Sequence, residues 1–245
     1  MDLPRMYTEF AQYWTLVSAP ADYAEEASHW REALRRKLGP GRHAILELGV
    51  GGGNNLSYLT GDFQAVAVDL SPDMVEQARK LSPDVEFHVG DMRTVRLGRR
   101  FKAVLVHDAI SYMLSEQDLL AVFATAAAHL DPGGVFIAAP DWYRETFRDP
   151  FVNWGTETDG AVTFTNLEYT YDPDPGDTTI ESLNWYLIRE RGALRIEQDR
   201  HVLGLFSRGT WVDLMMGSGF AVEQIPLPGD DDPRQPYLLL GVLRE

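Results

Sequence analysis

Cysteine is absent from this sequence of 245 residues. The protein therefore has no disulfide, no thiolate zinc site and no cysteine nucleophile. No stretch approaches the roughly 18 consecutive apolar residues of a membrane-spanning helix. The polar start of the chain, residues 1–5, also lacks the apolar core of a secretory signal. These absences predict a soluble cytoplasmic protein without a membrane partner.

Basic residues are scarce as well. Lys and Arg number 22 against 37 Asp and Glu, so the formal net charge is −15. A surface of this charge repels phosphate backbones and argues against a nucleic-acid partner. The hydrophobic fraction of 44% is ordinary, and the length allows one large α/β domain with an inserted subdomain.

Strand and helix patterns alternate through the first 140 residues. Apolar runs predict strands at residues 44–46, 64–69, 85–89, 101–107 and 135–139. Helical patterns lie at residues 22–37, 54–59, 72–81 and 115–130, and Asp22 is the expected N-cap of the first. This alternation predicts a parallel sheet with right-handed crossovers.

The pattern changes after residue 140. Alternating, aromatic-rich segments at residues 162–171, 178–189 and 194–206 are separated by turn sequences and predict an inserted antiparallel sheet. A helix at 208–216 and strands at 221–225 and 237–243 follow, the strands joined by a loop rich in Pro, Gly and Asp. We expect an N-terminal helical cap (1–40), a main α/β domain (41–141 and 207–245) and an inserted β lid (142–206).

A glycine-rich turn follows the first strand. Its sequence is Glu-Leu-Gly-Val-Gly-Gly-Gly over residues 47–53. A dinucleotide fingerprint needs a glycine at the sixth place counted from Gly49, and Asn54 stands there instead. Glu47, two residues before the first glycine, suits a ligand with a cationic amino-acid end better than a pyrophosphate.

Further polar residues follow the next strands. Asp69 ends the second strand, and a carboxylate at that place accepts hydrogen bonds from ribose hydroxyls. Asp91 follows the third strand and can accept from the exocyclic amine of adenine, and His107 and Asp108 follow the fourth. Since ligands of open parallel sheets bind outside the carboxyl ends of the strands, these residues predict one nucleotide-type site.

Together these residues resemble the class I S-adenosylmethionine-dependent methyltransferases, as does the turn Leu-Asp-Pro-Gly-Gly at residues 130–134. The resemblance implies a Rossmann-like α/β fold with a seven-stranded sheet whose last strand is antiparallel, and S-adenosylmethionine as cofactor. It also implies that Glu47 holds the amino group, Asp69 the ribose and Asp91 the adenine. The candidate cofactor-binding residues are Glu47, Gly49, Gly51, Gly53, Asp69, Asp91, Met92, His107 and Tyr13.

The segments at residues 90–93, 142–147 and 201–206 are similar to the nucleotide-linked amino-sugar N,N-dimethyltransferases of antibiotic pathways. This resemblance implies an antiparallel sheet inserted after strand five and a homodimer formed through it. The sequence departs from the relatives at two places. No glycine precedes Tyr112, and Pro140-Asp141-Trp142-Tyr143 replaces a double-aromatic Pro-Trp-Trp, so the methyl acceptor can differ.

We therefore expect methyl transfer to an amine or hydroxyl of a small-molecule biosynthetic intermediate, with a nucleotide-linked amino sugar as one candidate and no metal. An amine acceptor must only be neutral, whereas a hydroxyl needs a base. The candidate bases are His107, Asp108, Tyr112, Asp141 and His201, and the candidate acceptor-binding residues are Trp14, Asp141, Trp142 and Tyr143.

These assignments have purely structural alternatives. His107 can be a packing residue, Asp108 can cap the next turn, and the aromatic side chains can belong to the core. Two other functions also remain open: a non-catalytic regulatory or scaffold protein that binds S-adenosylmethionine, and a methyltransferase for protein or RNA.

Overall fold

A computed structural model describes residues 3–228 and 236–244. The described residues form eleven strands: β1 (Ala44–Leu48), β2 (Gln64–Asp69), β3 (Glu86–Val89), β4 (Phe101–Val106), β5 (Leu130–Ala138), β6 (Phe151–Thr158), β7 (Val162–Tyr171), β8 (Thr179–Glu190), β9 (Ala193–Gly204), β10 (Phe220–Pro226) and β11 (Tyr237–Leu243). Their α-helices are α1 (Trp14–Val17), α2 (Ala24–Leu38), α3 (Asn54–Ser57), α4 (Pro72–Leu81), α5 (Glu116–His129) and α6 (Arg208–Gly217).

The main sheet has seven strands in the order β3-β2-β1-β4-β5-β11-β10. Strands β1 to β5 pair in parallel, and β11 pairs antiparallel with both of its neighbours. The predicted α/β fold with an antiparallel last strand is confirmed. The parallel order brings the ends of β1, β2, β3 and β4 to one edge of the sheet, where the candidate site lies.

Burial explains why the central strands carry apolar runs. Ile45, Leu46 and Leu48 of β1 are fully buried, because apolar clusters cover both faces of the sheet. Helix α4 begins where the sequence predicts it. Ser71 accepts a hydrogen bond from the backbone N–H of Met74, so it serves as the N-cap.

The inserted sheet is an antiparallel meander in the order β6-β7-β8-β9. Three of its strands were predicted, and β6 is a finding of the structure. Strand β6 carries polar residues on both faces and is exposed along most of its length, so it lacks the alternation that marks a half-buried strand. It forms an edge of the sheet, where pairing with one neighbour suffices.

Two local predictions need correction. Asp22 does not cap α2: it lies within a 3₁₀ turn, Pro20–Tyr23, which leads directly into the helix. Strand β5 begins at Leu130 rather than after the Gly-Gly pair, and Gly133 has a φ of 73° within it. The predicted Pro/Gly/Asp loop between β10 and β11 includes residues 229–235, which lie outside the described residues.

The N-terminal segment packs against the inserted sheet. The backbone N–H groups of Arg5 and Met6 donate to the carboxylate of Asp199 on β9, at 3.1 and 2.8 Å. Phe10 packs against Tyr186 of β8 with ring centroids 5.5 Å apart. On its other side, the hydroxyl of Ser71 in the main domain donates to the carbonyl of Tyr7, so the segment joins the inserted sheet to the main domain. Over the described ranges, no helix is long and apolar enough to cross a membrane.

Candidate active site

The glycine turn lies at the carboxyl end of β1 and is tightly packed. Gly49, Gly51 and Gly53 have positive φ values of 73°, 55° and 79°, a backbone region that L side chains rarely adopt. A Cβ at Gly49 would lie 2.5 Å from the Cβ of Ala109. The turn thus needs glycine both for its backbone conformation and for its contact with the segment after β4.

Asp69 connects this turn to helix α4. Its two carboxylate oxygens accept hydrogen bonds from the backbone N–H of Gly51 at 2.7 Å and of Ser71 at 2.8 Å. Burial raises the pKa of Asp69, and the backbone donors oppose that shift. The carboxylate lines the cavity next to the glycine turn, so it can accept further hydrogen bonds while it holds the turn in place.

Glu47 is a buried carboxyl with an unused oxygen. It is 2% exposed, and its Oε2 atom has no hydrogen-bond partner among the described residues. Burial raises the pKa of Glu47 to about 8, against the opposing effect of the His107 cation. A buried polar atom without a partner is costly. The site is therefore built to receive a donor, and the cationic amino group of an amino acid fits that need.

At the end of β3, Asp91 is less free than the sequence suggested. Its carboxylate accepts from Nε and Nη2 of Arg93, the latter at 2.7 Å, and Arg93 also pairs with Asp118 at 2.8 Å. Both Asp91 and Met92 line the cavity. The predicted adenine contact of Asp91 would have to be made beside this ion pair.

His107 lies between two carboxylates. Its Nε2 is 2.6 Å from Oε1 of Glu26, and its Nδ1 is 3.3 Å from Oδ1 of Asp108. Burial alone would lower the pKa of His107, but these carboxylates raise it well above its usual value. The imidazole ring also packs on Trp30, with centroids 5.3 Å apart. His107 is thus a charged side chain with a carboxylate beside each ring nitrogen. This arrangement suits positioning rather than proton abstraction.

A second cluster joins residues from three parts of the chain. The hydroxyl of Tyr112 lies 2.8 Å from that of Tyr7 and 2.7 Å from Nδ1 of His201. Nε2 of His201 lies 3.1 Å from the carboxylate of Asp199. Because Asp199 accepts from Nε2–H, Nδ1 is left to accept from Tyr112. Tyr112, His201 and Asp199 form a hydrogen-bonded relay.

Two cavities meet at this relay. The cofactor-side cavity is lined by the glycine turn, Glu47 and Asp69, and the second lies over the inner face of the inserted sheet. Both are lined by Tyr7, Trp14, Asp108 and Tyr112. A methyl donor in the first cavity and a methyl acceptor in the second can therefore meet at these four residues.

The predicted aromatic site residues lie in different parts of the structure. Trp14 lines both cavities, and Trp142 and Asp141 line the second. Tyr13 does not line the cofactor cavity: it packs against Phe164 of β7 with ring centroids 5.6 Å apart. Tyr143 is fully buried in the main core and lines neither cavity, since its position after β5 turns it inward.

Tyr7, Glu26 and Asp199 belong to the site but were missed by sequence reasoning. They lie on a 3₁₀ turn, on α2 and on β9, far from one another in the chain. The aromatic-rich N-terminus was the only hint of Tyr7. Among the described residues, no group of three or more His, Asp or Glu side chains is arranged to hold a metal ion.

Known proteins match the main domain and, in two cases, most of the chain. A family model described as a methyltransferase domain matches residues 45–134. A dTDP-3-amino-3,4,6-trideoxy-alpha-D-glucopyranose N,N-dimethyltransferase from Streptomyces venezuelae is 32% identical over 206 residues, covering 83% of this chain and 86% of the relative. A dTDP-3-amino-3,6-dideoxy-alpha-D-glucopyranose N,N-dimethyltransferase from Streptomyces fradiae is 31% identical over 222 residues, covering 89% and 86%.

A solved structure agrees over the full length. The X-ray structure of the sugar N-methyltransferase KedS8 from a Streptoalloteichus species superposes with a TM-score of 0.85 at 26% identity, covering 100% of this chain and 95% of that one. The sheet order, the glycine turn and Glu47 define a methyltransferase of the S-adenosylmethionine-dependent class. The chain belongs to that family, close to the dTDP-amino-sugar N,N-dimethyltransferases, and is an N-methyltransferase whose cofactor is S-adenosylmethionine.

Proposed function

We propose that this enzyme transfers methyl groups to the amine of an amino sugar, and that the sugar is nucleotide-linked as the names of the relatives state for their substrates. Bound S-adenosylmethionine supplies an electrophilic methyl group on a sulfonium sulfur. The protein has to hold the amine in line with that methyl group, exclude water and keep the amine neutral. The arrangement of the second cavity supports the holding of the acceptor and the removal of its proton.

The inner face of the inserted sheet supports a sugar as the body of the acceptor. One cross-strand row of residues spans all four strands, with two amides alternating with two carboxylates: Asn153, Glu168, Asn184 and Asp199. Glu168 already accepts from the hydroxyl of Ser182 at 3.1 Å, as it would from a sugar hydroxyl. Trp142 and Phe151 add apolar surface at the same cavity.

The observation that carries the proposal is the relay at the junction of the two cavities. An amino sugar arrives as an ammonium ion, and its nitrogen attacks only after a proton has left. We infer that Tyr112 accepts this proton and passes its own hydroxyl proton to Nδ1 of His201. Asp199 stabilises the imidazolium that results. Burial raises the pKa of Tyr112 well above its usual value, so Tyr112 conducts the proton rather than holding a charge.

His107 has a different part in this proposal. Both of its ring nitrogens face carboxylates, and the shift of its pKa keeps it protonated. A protonated imidazole cannot take a proton from the acceptor. We infer that His107 links α2, through Glu26, to the end of β4 and so positions the wall of the cofactor cavity.

The outer face of the inserted sheet supports the proposed homodimer. It carries large apolar side chains in contact with water, among them Trp154 at 72% and Ile196 at 63% exposure. An apolar patch of this kind on a sheet is typical of a protein interface. A second copy of the chain would bury this face and leave the polar inner face to the acceptor.

The direct test is methyl transfer to dTDP-3-amino-3,6-dideoxyglucose, followed by mass spectrometry. We expect products heavier by one and then two methyl groups. The matched control is the 3-hydroxy sugar nucleotide, which has no amine and should remain unmodified. Methylation of the hydroxyl sugar alone, or of neither compound while a protein or RNA is methylated, would contradict the proposal. Cofactor binding without any transfer would favour the scaffold alternative.

A further inference from the structure

Most backbone N–H groups of the glycine turn donate hydrogen bonds to acceptors within the protein. Four of its amides donate to acceptors of the chain itself: Gly49 and Val50 to the carbonyl of Val68, Gly51 to Asp69, and Gly53 to the carbonyl of Val50. A turn that cradles an anion would leave these N–H groups free. These four amides are therefore not available to the anionic part of the cofactor, its α-carboxylate.

The cations that line the cofactor cavity are also occupied. Among the described lining residues these are Arg93 and His107. Arg93 is paired with the carboxylates of Asp91 and Asp118. His107 lies between two carboxylates as well. A carboxylate added to this cavity would have to compete with existing ion pairs for either cation.

Asn55, on the first turn of α3, offers an unused donor. It lines the cavity, it is only 4% exposed, and neither its Nδ2 nor its Oδ1 atom has a hydrogen-bond partner among the described residues. Its neighbour Asn54 differs, since Nδ2 of Asn54 donates to the carbonyl of Ser18 at 3.0 Å. The indole N–H of Trp14, another lining residue, is likewise buried without a partner.

We propose that Asn55, through Nδ2, is the binding residue for the α-carboxylate of the cofactor, with the indole N–H of Trp14 as a second donor. Glu47 then takes the α-ammonium group. The two ends of a zwitterion need opposite partners: the ammonium only donates and the carboxylate only accepts. The unpartnered groups of the cavity supply both kinds. This inference concerns the cofactor and is independent of the acceptor proposed above.

Gly52 is part of the same arrangement. A Cβ at this position would lie 2.1 Å from Nε1 of Trp14, so the indole can pack there only against glycine. Gly52→Ala should therefore displace Trp14 and weaken cofactor binding. Gly61→Ala is the matched control, because a Cβ at Gly61 meets nothing within 4 Å.

Three ligands separate the two ends of the cofactor in calorimetric titrations of the full chain. S-adenosylhomocysteine has both charged groups, its decarboxylated analogue keeps only the ammonium, and 5′-methylthioadenosine has neither. Loss of the carboxylate should weaken binding to the wild type by about tenfold or more, as expected for a hydrogen bond to a charged group. Equal affinity for the first two ligands would overturn the proposal without any variant.

The variants assign the effect to a residue. Asn55→Leu should weaken S-adenosylhomocysteine by about tenfold to a hundredfold and leave the decarboxylated analogue within about twofold. Asn55→Asp should weaken the binding of S-adenosylhomocysteine more than Asn55→Leu does, because it places the Asp carboxylate against the α-carboxylate of the ligand. Glu47→Gln should instead weaken both ligands that keep the ammonium and spare 5′-methylthioadenosine.

Unchanged affinity of Asn55→Leu for S-adenosylhomocysteine, or an equal loss for all three ligands, would refute the role of Asn55. Asn55→Ser provides the same comparison if the leucine variant does not fold, because serine is smaller and keeps only a short hydroxyl. None of these titrations depends on methyl transfer, so a failure of the proposed acceptor would leave the result readable.

Discussion

The hydroxyl of Tyr112 lies 2.7 Å from Nδ1 of His201, although 89 positions separate the two residues in the chain. One follows the fourth strand of the main sheet and the other lies on the last strand of the inserted sheet. The hydrogen bond therefore joins the cofactor side of the enzyme to the surface proposed to hold the acceptor. Its consequences for proton transfer can be measured.

Removing the hydrogen-bonded relay should slow methyl transfer without changing the affinity for the cofactor. Tyr112→Phe and His201→Asn should lower kcat by about a hundredfold or more, the usual contribution of general base catalysis. Affinity for S-adenosylhomocysteine should stay near that of the wild type. The rate of the variants should recover as pH rises, because a larger fraction of the amine is already neutral in solution. Wild-type rates in both variants at neutral pH would rule out the relay.

Binding of S-adenosylhomocysteine should release a proton from Glu47. The pKa of Glu47 is raised by burial to about 8, and a cationic amino group would lower it. Affinity should therefore rise with pH between about 5 and 8, by at most about tenfold per pH unit. Calorimetry at pH 6.5 in buffers of different ionisation enthalpy measures this release. Glu47→Gln should abolish it, and 5′-methylthioadenosine should show none in the wild type.

The ion pairs of His107 should stabilise the fold in a pH-dependent way. The pKa of His107 is raised in the folded state, so the stabilisation is complete below its unfolded value and is lost as pH rises through the folded value. His107→Gln should reduce the free energy of unfolding by about 1.5–3 kcal/mol at pH 6. The difference from the wild type should shrink at pH 9. Urea denaturation at the two pH values checks this, and a difference that grows with pH would contradict the assignment.

Asp69 should matter for both stability and cofactor binding. Asp69→Ala removes the acceptor for the N–H groups of Gly51 and Ser71, so we expect a loss of about 1–3 kcal/mol in the free energy of unfolding. Affinity for 5′-methylthioadenosine, which retains the ribose, should fall more than tenfold. Asp73→Ala on the exposed face of α4 is the control. Unchanged affinity in Asp69→Ala would remove the ribose contact from its roles.

The oligomeric state should depend on the outer face of the inserted sheet. Trp154→Lys places a charge on the apolar patch and should shift the sedimentation profile from dimer to monomer. Leu81→Lys, another exposed apolar residue but on α4, should leave the profile unchanged. A wild-type monomer, or a dimer that withstands Trp154→Lys, would place the interface elsewhere or exclude it.

Local sequence patterns predicted most of the main sheet and most of the candidate cofactor site. The alternation of strands and helices and the glycine turn depend on neighbours within a few residues, and the structure has them where the sequence predicts them. Strand β6 and the 3₁₀ turn before α2 escaped prediction for the opposite reason. One has no periodicity of its own, and the other replaces a cap that Asp22 could have provided.

The sequence by itself determined the fold class, the family and most of the candidate residues that line the cofactor cavity, because these are written in short segments at the ends of parallel strands. Only the tertiary structure decided which candidates act together. It turned Tyr143 into the core, joined Tyr112 to His201 and Asp199, and enclosed His107 between Glu26 and Asp108. Contacts of this kind depend on how the inserted sheet and the N-terminal segment pack onto the main sheet, and no local pattern in the chain records that packing.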